Sequence, residues 1–316
     1  MNLASGPDAL LPHLAKVREF TQLLSIEAAV ASENGDAQAA VHAVKDSLQL
    51  ARSLEDEPLL ITQLVRSGCL TIASASLEHV LARHVLSEAQ LLDLAAVLQE
   101  AEARNQAAFV RGLIGERCSA THIFQSPGSE VARVMGQDAG DGLPVFHHVL
   151  DLVGVRNEDF FFYLKTMGRW IGSCKLPFPD CLEQARSVNR ELTSSIQQRR
   201  LFVLSSQLLP YFGGAANQMA GTAARLRCVQ VAVAVERFRL KNNGQPPAGL
   251  EQVSPAFLSR LPTDPFDGNP LRYRLLPKGY VIYSLGEDGA DQGGAGPSQK
   301  KSDRSKPHDV AFTVER

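Results

Sequence analysis

The stretch Leu261-Pro262-Thr263-Asp264-Pro265-Phe266-Asp267-Gly268-Asn269-Pro270, followed by Tyr280-Val281-Ile282-Tyr283-Ser284-Leu285-Gly286-Glu287-Asp288-Gly289, decides how this chain is read. Between the two, Leu271-Arg272-Tyr273-Arg274-Leu275 alternates apolar and basic residues, the period of a half-buried strand. Pro277-Lys278-Gly279 supplies a turn, and Tyr280 to Ser284 returns antiparallel. Val310 to Val314 is apolar enough to close a small sheet as its last strand. The segment 286–309 in between is polar and Gly-rich and reads as a flexible loop. Its oxygen-bearing side chains suit a hard cation.

Working backward, residues 215–241 form one long helical pattern, apolar nearly all round at its centre from Leu226 to Val235. Such a helix is buried on more than one side. Asn242-Asn243-Gly244 is an expected left-handed cap, and Pro246-Pro247 cannot continue the helix. Tyr211-Phe212-Gly213-Gly214 breaks the chain before it. We therefore expect a helical domain over 1–212 and an α+β domain over 213–316.

The N-terminal part reads as an α-helical array. Apolar residues recur at three and four over residues 10–110. Gly35 and Asp36 end one helix and cap the next, Pro58 opens a third running to about Arg83, and Ser87 with Gln90 forms a capping box for a fourth. The first hairpin resembles a tetratricopeptide-type unit, without a clear second copy. Residues 111–150 read as mixed and 156–208 as helix again. The expected class is mainly α, with a long helix packed on a small antiparallel sheet at the C-terminal end.

Composition narrows the function. The 316 residues carry a formal net charge of −2 and 6% aromatic residues, which offers neither attraction to nucleic acid nor a base-stacking surface. Cys69, Cys118, Cys174, Cys181 and Cys228 are odd in number and widely spaced, which argues against a disulfide framework or structural zinc. Only Cys174 and Cys181 are close enough in sequence for a local bridge. We find no apolar run of roughly 18 residues and no signal peptide after Met1. Read literally, that places the chain in the cytoplasm, and an envelope role requires an anchor upstream of Met1.

The C-terminal unit, about residues 220–316, resembles the globular part of the major pseudopilin of type II secretion systems. The features that carry this are the helix ending in Lys241-Asn242-Asn243-Gly244, the Leu261-Pro262-Thr263-Asp264-Pro265 segment, Gly268-Asn269-Pro270, Tyr283-Ser284-Leu285-Gly286 with Glu287-Asp288-Gly289, and the closing Asp309-Val310. The arrangement of a helical region followed by this unit is similar to that of planctomycete-type bacterial proteins. Pseudopilins begin with a leader and a long apolar fibre helix, whereas here a whole domain precedes Ala215.

The resemblance implies calcium in the loop after Tyr-Ser-Leu-Gly. Leu285 would offer its carbonyl and Asp288 and Asp309 their carboxylates, with Asp291 and Ser284 as neighbouring candidates. The family's additional acid falls here at Pro307, followed by His308. The resulting expectation is a non-enzymatic interaction protein of the cell envelope, with protein partners on its helical region. Two other readings stand beside it. One is a hydrolase with a site built from His147, His148, Asp151 and Glu158. The other is a cytoplasmic helical scaffold.

Overall fold

A computed structural model of the chain describes residues 11–126, 154–198, 202–295 and 308–316. The helices are α1 (Pro12–Glu33), α2 (Ala37–Arg52), α3 (Leu60–Arg83), α4 (Glu88–Gln125), α5 (Val155–Ser173), α6 (Asp180–Gln198), α7 (Val203–Leu208) and α8 (Ala215–Lys241). A 3₁₀ turn, Leu209–Phe212, joins α7 to α8. Three strands follow: β1 (Arg272–Leu276), β2 (Gly279–Ser284) and β3 (Val310–Glu315). The protein is mainly helical with a small antiparallel sheet at its C-terminal end, as the sequence predicts.

Local chemistry sets the helix ends. Gly35 takes a φ of +80°, which a side chain would disfavour, and the Asp36 carboxylate accepts from Ala39 N at 2.9 Å to start α2. Ser87 and Gln90 close the capping box on α4, each satisfying the other's orphan amide. At the end of α8, Gly244 N donates to Arg239 O at 2.8 Å.

α4 departs from the sequence reading. It runs as one helix through Gly112 and Gly115, where the sequence suggested mixed structure. These glycines are points of close approach. A Cβ on Gly115 would lie 1.5 Å from Pro58 O, and one on Gly112 would lie 3.2 Å from the Leu60 Cα. The segment 186–208 likewise divides into the end of α6 and a separate α7.

α4 and α8 lie side by side and thread both cores. In the first core, Leu91, Leu94 and Leu98 of α4 and Leu226 to Val235 of α8 pack with α2, α3 and the inner face of the sheet. In the second, Phe109, Leu113 and Phe124 of α4 and Ala216, Met219 and Ala220 of α8 pack with α5, α6 and α7. The expected boundary at 212–213 falls at the turn before α8, whose buried residues belong to both cores. α3 is long and apolar enough to cross a membrane by length and composition, against the sequence reading of no such run. In the fold 61% of that window is buried, so α3 serves here as a core helix.

The sheet order is β1-β2-β3, all antiparallel. Tyr273 pairs with Ile282, and Ile282 with Phe312. Tyr280, Ile282, Phe312 and Val314 face α8, while Tyr280 Oη donates to Glu236 Oε1 at 2.8 Å. β3 is also fastened to α3. Thr313 N donates to Glu78 Oε1 at 2.9 Å, and Arg316 donates to Leu81 O, His84 O and Glu236 Oε2, each at 2.7 Å.

Candidate functional site

Two turns meet at the end of β2, each organised by a buried aspartate. The first is Asp264. Its Oδ1 accepts from Phe266 N at 2.9 Å and Ser284 Oγ at 2.8 Å. Its Oδ2 accepts from Leu285 N at 2.9 Å and Arg272 Nη1 at 2.8 Å. Arg272 also pairs with Asp267. Asp264 thus ties the 262–270 turn, β1 and the end of β2 into one knot. The Ser284 hydroxyl is directed into that knot, away from the role of a cation ligand.

The second is Asp309, just before β3 and 1% exposed. Its Oδ2 accepts from Gln292 N at 3.1 Å and Gly294 N at 2.7 Å. Its Oδ1 is buried and has no hydrogen-bond partner. Burial raises this carboxyl above its ordinary range. The two backbone amides oppose that shift, and the charges of Asp291 and Asp288 reinforce it. A buried acceptor without a donor, flanked by two further acids, is costly unless positive charge joins it.

The loop that carries the other candidates lies over the outer face of the sheet. Arg274 Nη2 donates to Gly293 O at 2.7 Å, and a Cβ on Gly294 would lie 2.8 Å from Val281 Cγ2. Gly286, at φ +71°, fits against His308 O, which a Cβ would approach to 2.7 Å. Asp288 accepts from Ala290 N at 3.1 Å and Gln292 Nε2 at 2.9 Å. Asp291 accepts from Gly293 N at 2.8 Å. Burial, and then a hydrogen bond to Asp291, raise the Tyr283 phenol. Leu285 spends its N–H on Asp264, and its carbonyl is the group the resemblance assigns.

Asp288, Asp291 and Asp309 are therefore electrostatic neighbours. Among the described residues, no three His, Cys, Asp or Glu side chains stand close enough to form a metal-holding group. The donor chemistry, all oxygen in a Gly-rich loop with one orphaned carboxylate oxygen, fits calcium better than a transition metal. Pro307 lies outside the described residues.

His147, His148 and Asp151 also lie outside the described residues. Of the acids near them in sequence, Glu158 is exposed in the first turn of α5. Asp159 is buried and accepts from Leu204 N at 3.0 Å and Ser205 N at 3.2 Å, so it caps α7. Cys174 and Cys181 are both free thiols, buried in the second core.

A groove of ≈ 770 Å³ runs between α4, α8 and residues 257–263. Two of its arginines act as struts: Arg227 binds Glu102 and Thr263 O, and Arg237 binds Glu88 and Phe257 O. Sequence reasoning missed Asp264, although the Thr-Asp-Pro-Phe-Asp-Gly run carries the signature of an aspartate that bonds its own turn. No family model, curated protein or solved structure matches this chain.

Proposed function

We propose that the chain is a non-enzymatic structural and interaction protein of the cell envelope. Its C-terminal module resembles that of type II secretion pseudopilins and is stabilised by calcium. The observation that supports this best is the buried, unpartnered Oδ1 of Asp309 beside two further acids. Asp309, Asp288 and Asp291 would hold the ion together with the Leu285 carbonyl. Bound calcium supplies positive charge that offsets the cost of burying Asp309. The chain's own residues do the rest. Asp264 fixes where Leu285 leaves the sheet, and the amides of Gln292 and Gly294 orient the Asp309 carboxylate.

Two further features favour binding over catalysis. Glu158, the described acid of the hydrolase reading, is exposed in the first turn of α5, and its neighbour Asp159 is committed to capping α7. The helical region also carries an apolar surface on α1, with Phe20, Leu23, Ile26 and Val30 all exposed. An envelope location follows from the calcium reading, because loops of this type work at the millimolar calcium found outside the cytoplasm.

Thermal unfolding of the full chain, in millimolar calcium and in chelator, tests this. Calcium at ten times its dissociation constant stabilises by about 1.4 kcal/mol. We expect a raised midpoint in calcium, and no shift in the Asp288→Ala variant. Equal midpoints for the parent protein would remove calcium and leave a helical scaffold.

A further inference from the structure

Arg66, on α3, is 1% exposed and is the bulkiest fully buried side chain among the described residues. A guanidinium carries five N–H donors and keeps its charge at ordinary pH. Here Nη1 donates to Asn105 Oδ1 at 3.3 Å, while Nε is buried with no hydrogen-bond partner. Among the described residues Arg66 makes no ion pair. Asn105 is itself fixed, since its Nδ2 donates to Met219 O at 3.1 Å. Burial lowers the Arg66 guanidinium from its usual range, and the charge of Glu55 opposes that without cancelling it. A buried charge held in this way is costly unless a counter-charge joins it.

Arg66 lines a cavity of ≈ 40 Å³ between α2, α3 and α4. That is room for a monatomic ion or a water, since one small guest needs about 10–15 Å³, and too little for an organic ligand, whose sites begin at about 300 Å³. Leu48 and Leu70, both buried, make part of its wall apolar, which strengthens any charge interaction inside. Arg52 of α2 lines it as well. So do two acids, and both are engaged by other cations. Glu55 Oε1 accepts from Arg104 Nη1 at 3.2 Å. Glu100 accepts from Arg104 Nη2 at 2.8 Å and from Arg52 Nη1 at 3.1 Å. Arg111 pairs separately with Asp56. Arg52, Arg66 and Arg104 thus stand against Glu55 and Glu100, three positive charges against two negative. A water could accept from Arg66, but it would leave the excess charge in place. An anion removes it.

We propose that the Arg66 cavity binds one small monovalent anion, chloride in ordinary buffers, held by the guanidinium groups of Arg66 and Arg52. The anion is a counter-ion for the helical region, as calcium is for the C-terminal loop. The site needs neither calcium nor an envelope location. Its failure would leave the calcium response standing.

Thermal unfolding of the full chain in chelator is the first test. Sodium chloride is exchanged for sodium gluconate, an organic anion too large for the cavity, at fixed ionic strength so that screening is constant. The expected midpoint is flat at low chloride and then climbs with its logarithm. Arg52→Gln, at an exposed position, should fold and weaken the apparent chloride affinity about tenfold, since a hydrogen bond to a charged group is worth about that much. Arg66→Met, which replaces the buried charge with an apolar chain, should lose the response altogether. Bromide supplies a readout that does not depend on either variant folding. Crystals of the parent protein grown in bromide should show anomalous density for one ion within hydrogen-bond range of the Arg66 guanidinium. A water there in place of the ion, or a parent midpoint that is the same in chloride and gluconate, overturns the proposal. So does a chloride response that Arg66→Met and Arg52→Gln keep at full size.

Discussion

Asp264 and Asp309 are both buried carboxylates, 0% and 1% exposed, set at the same end of the small sheet, where β2 finishes and β1 and β3 begin. Asp264 accepts from two backbone amides, one hydroxyl and one guanidinium, and both oxygens are occupied. Asp309 accepts two amides on one oxygen, leaves the other bare, and has acids for neighbours. The difference shows that burial of an acid does not by itself define its role. With four donors aimed at it, the first carboxylate is a structural fastener. The second, with two donors and repulsive company, is a place where the fold is short of positive charge.

The strongest way to break this contrast is to remove the fastener. Asp264→Ala strips one of two carboxylate partners from partly buried Arg272 and leaves the Ser284 hydroxyl and the Leu285 amide without their acceptor. The expected loss is about 3–5 kcal/mol, read as a lowered urea midpoint. An equal loss from Asp309→Ala in chelator would erase the distinction.

Isosteric neutralisation sharpens it. Asp264→Asn should cost about 1–3 kcal/mol, because an amide cannot serve all four donors. In chelator, Asp309→Asn should leave stability unchanged or raise it by up to about 1 kcal/mol, since it removes a charge held at a loss. Denaturation of both variants in one buffer compares them directly. The same Asp309→Asn protein should show no calcium shift, and retention of the full shift would remove Asp309 from the ligand set.

The smallest effect is on the fastener side and concerns pH. Burial works against ionisation of Asp267, but hydrogen bonds from Arg272 and Asn269 and the Arg272 charge outweigh it and hold the carboxyl down to about 2. A depressed carboxyl stabilises the fold above its unfolded value of 3.8. That contribution is lost as pH falls from there toward about 2. Asp267→Asn should flatten the urea midpoint across this window. An unchanged slope would show that the Arg272 pair does not report on folding.

Where the chain announces its structure locally, the sequence was legible. The Asp36 and Ser87 caps, the Asn243-Gly244 stop and the Pro277-Lys278 turn act within a few residues, so they can be read from a few residues. Gly112 and Gly115 were not legible. Glycine reads as a break along the chain, and only the arrival of Pro58 and Leu60 shows why side chains are excluded there. Asp264 was hidden for a similar reason, since two of its donors, Ser284 and Leu285, come from the far end of the hairpin. Of the candidate loop, sequence named the acids, but only the fold shows which one is buried and bare. The three-and-four spacing of Leu14, Val17, Leu24 and Ala28 names the inward side of α1, and the fold agrees: Leu14 and Ala28 are buried and Val17 packs against the first core.

The fastening of β3 to α3 bears on the order in which the molecule assembles. The bond from Thr313 to Glu78 and that from Arg316 to Leu81 each span 235 positions of chain. Closing so long a loop is entropically unfavourable until both ends are held by other contacts. The helical layers, whose neighbours are mostly consecutive, can form early. The outer strand then docks onto a surface already in place, and the sheet is completed against α3.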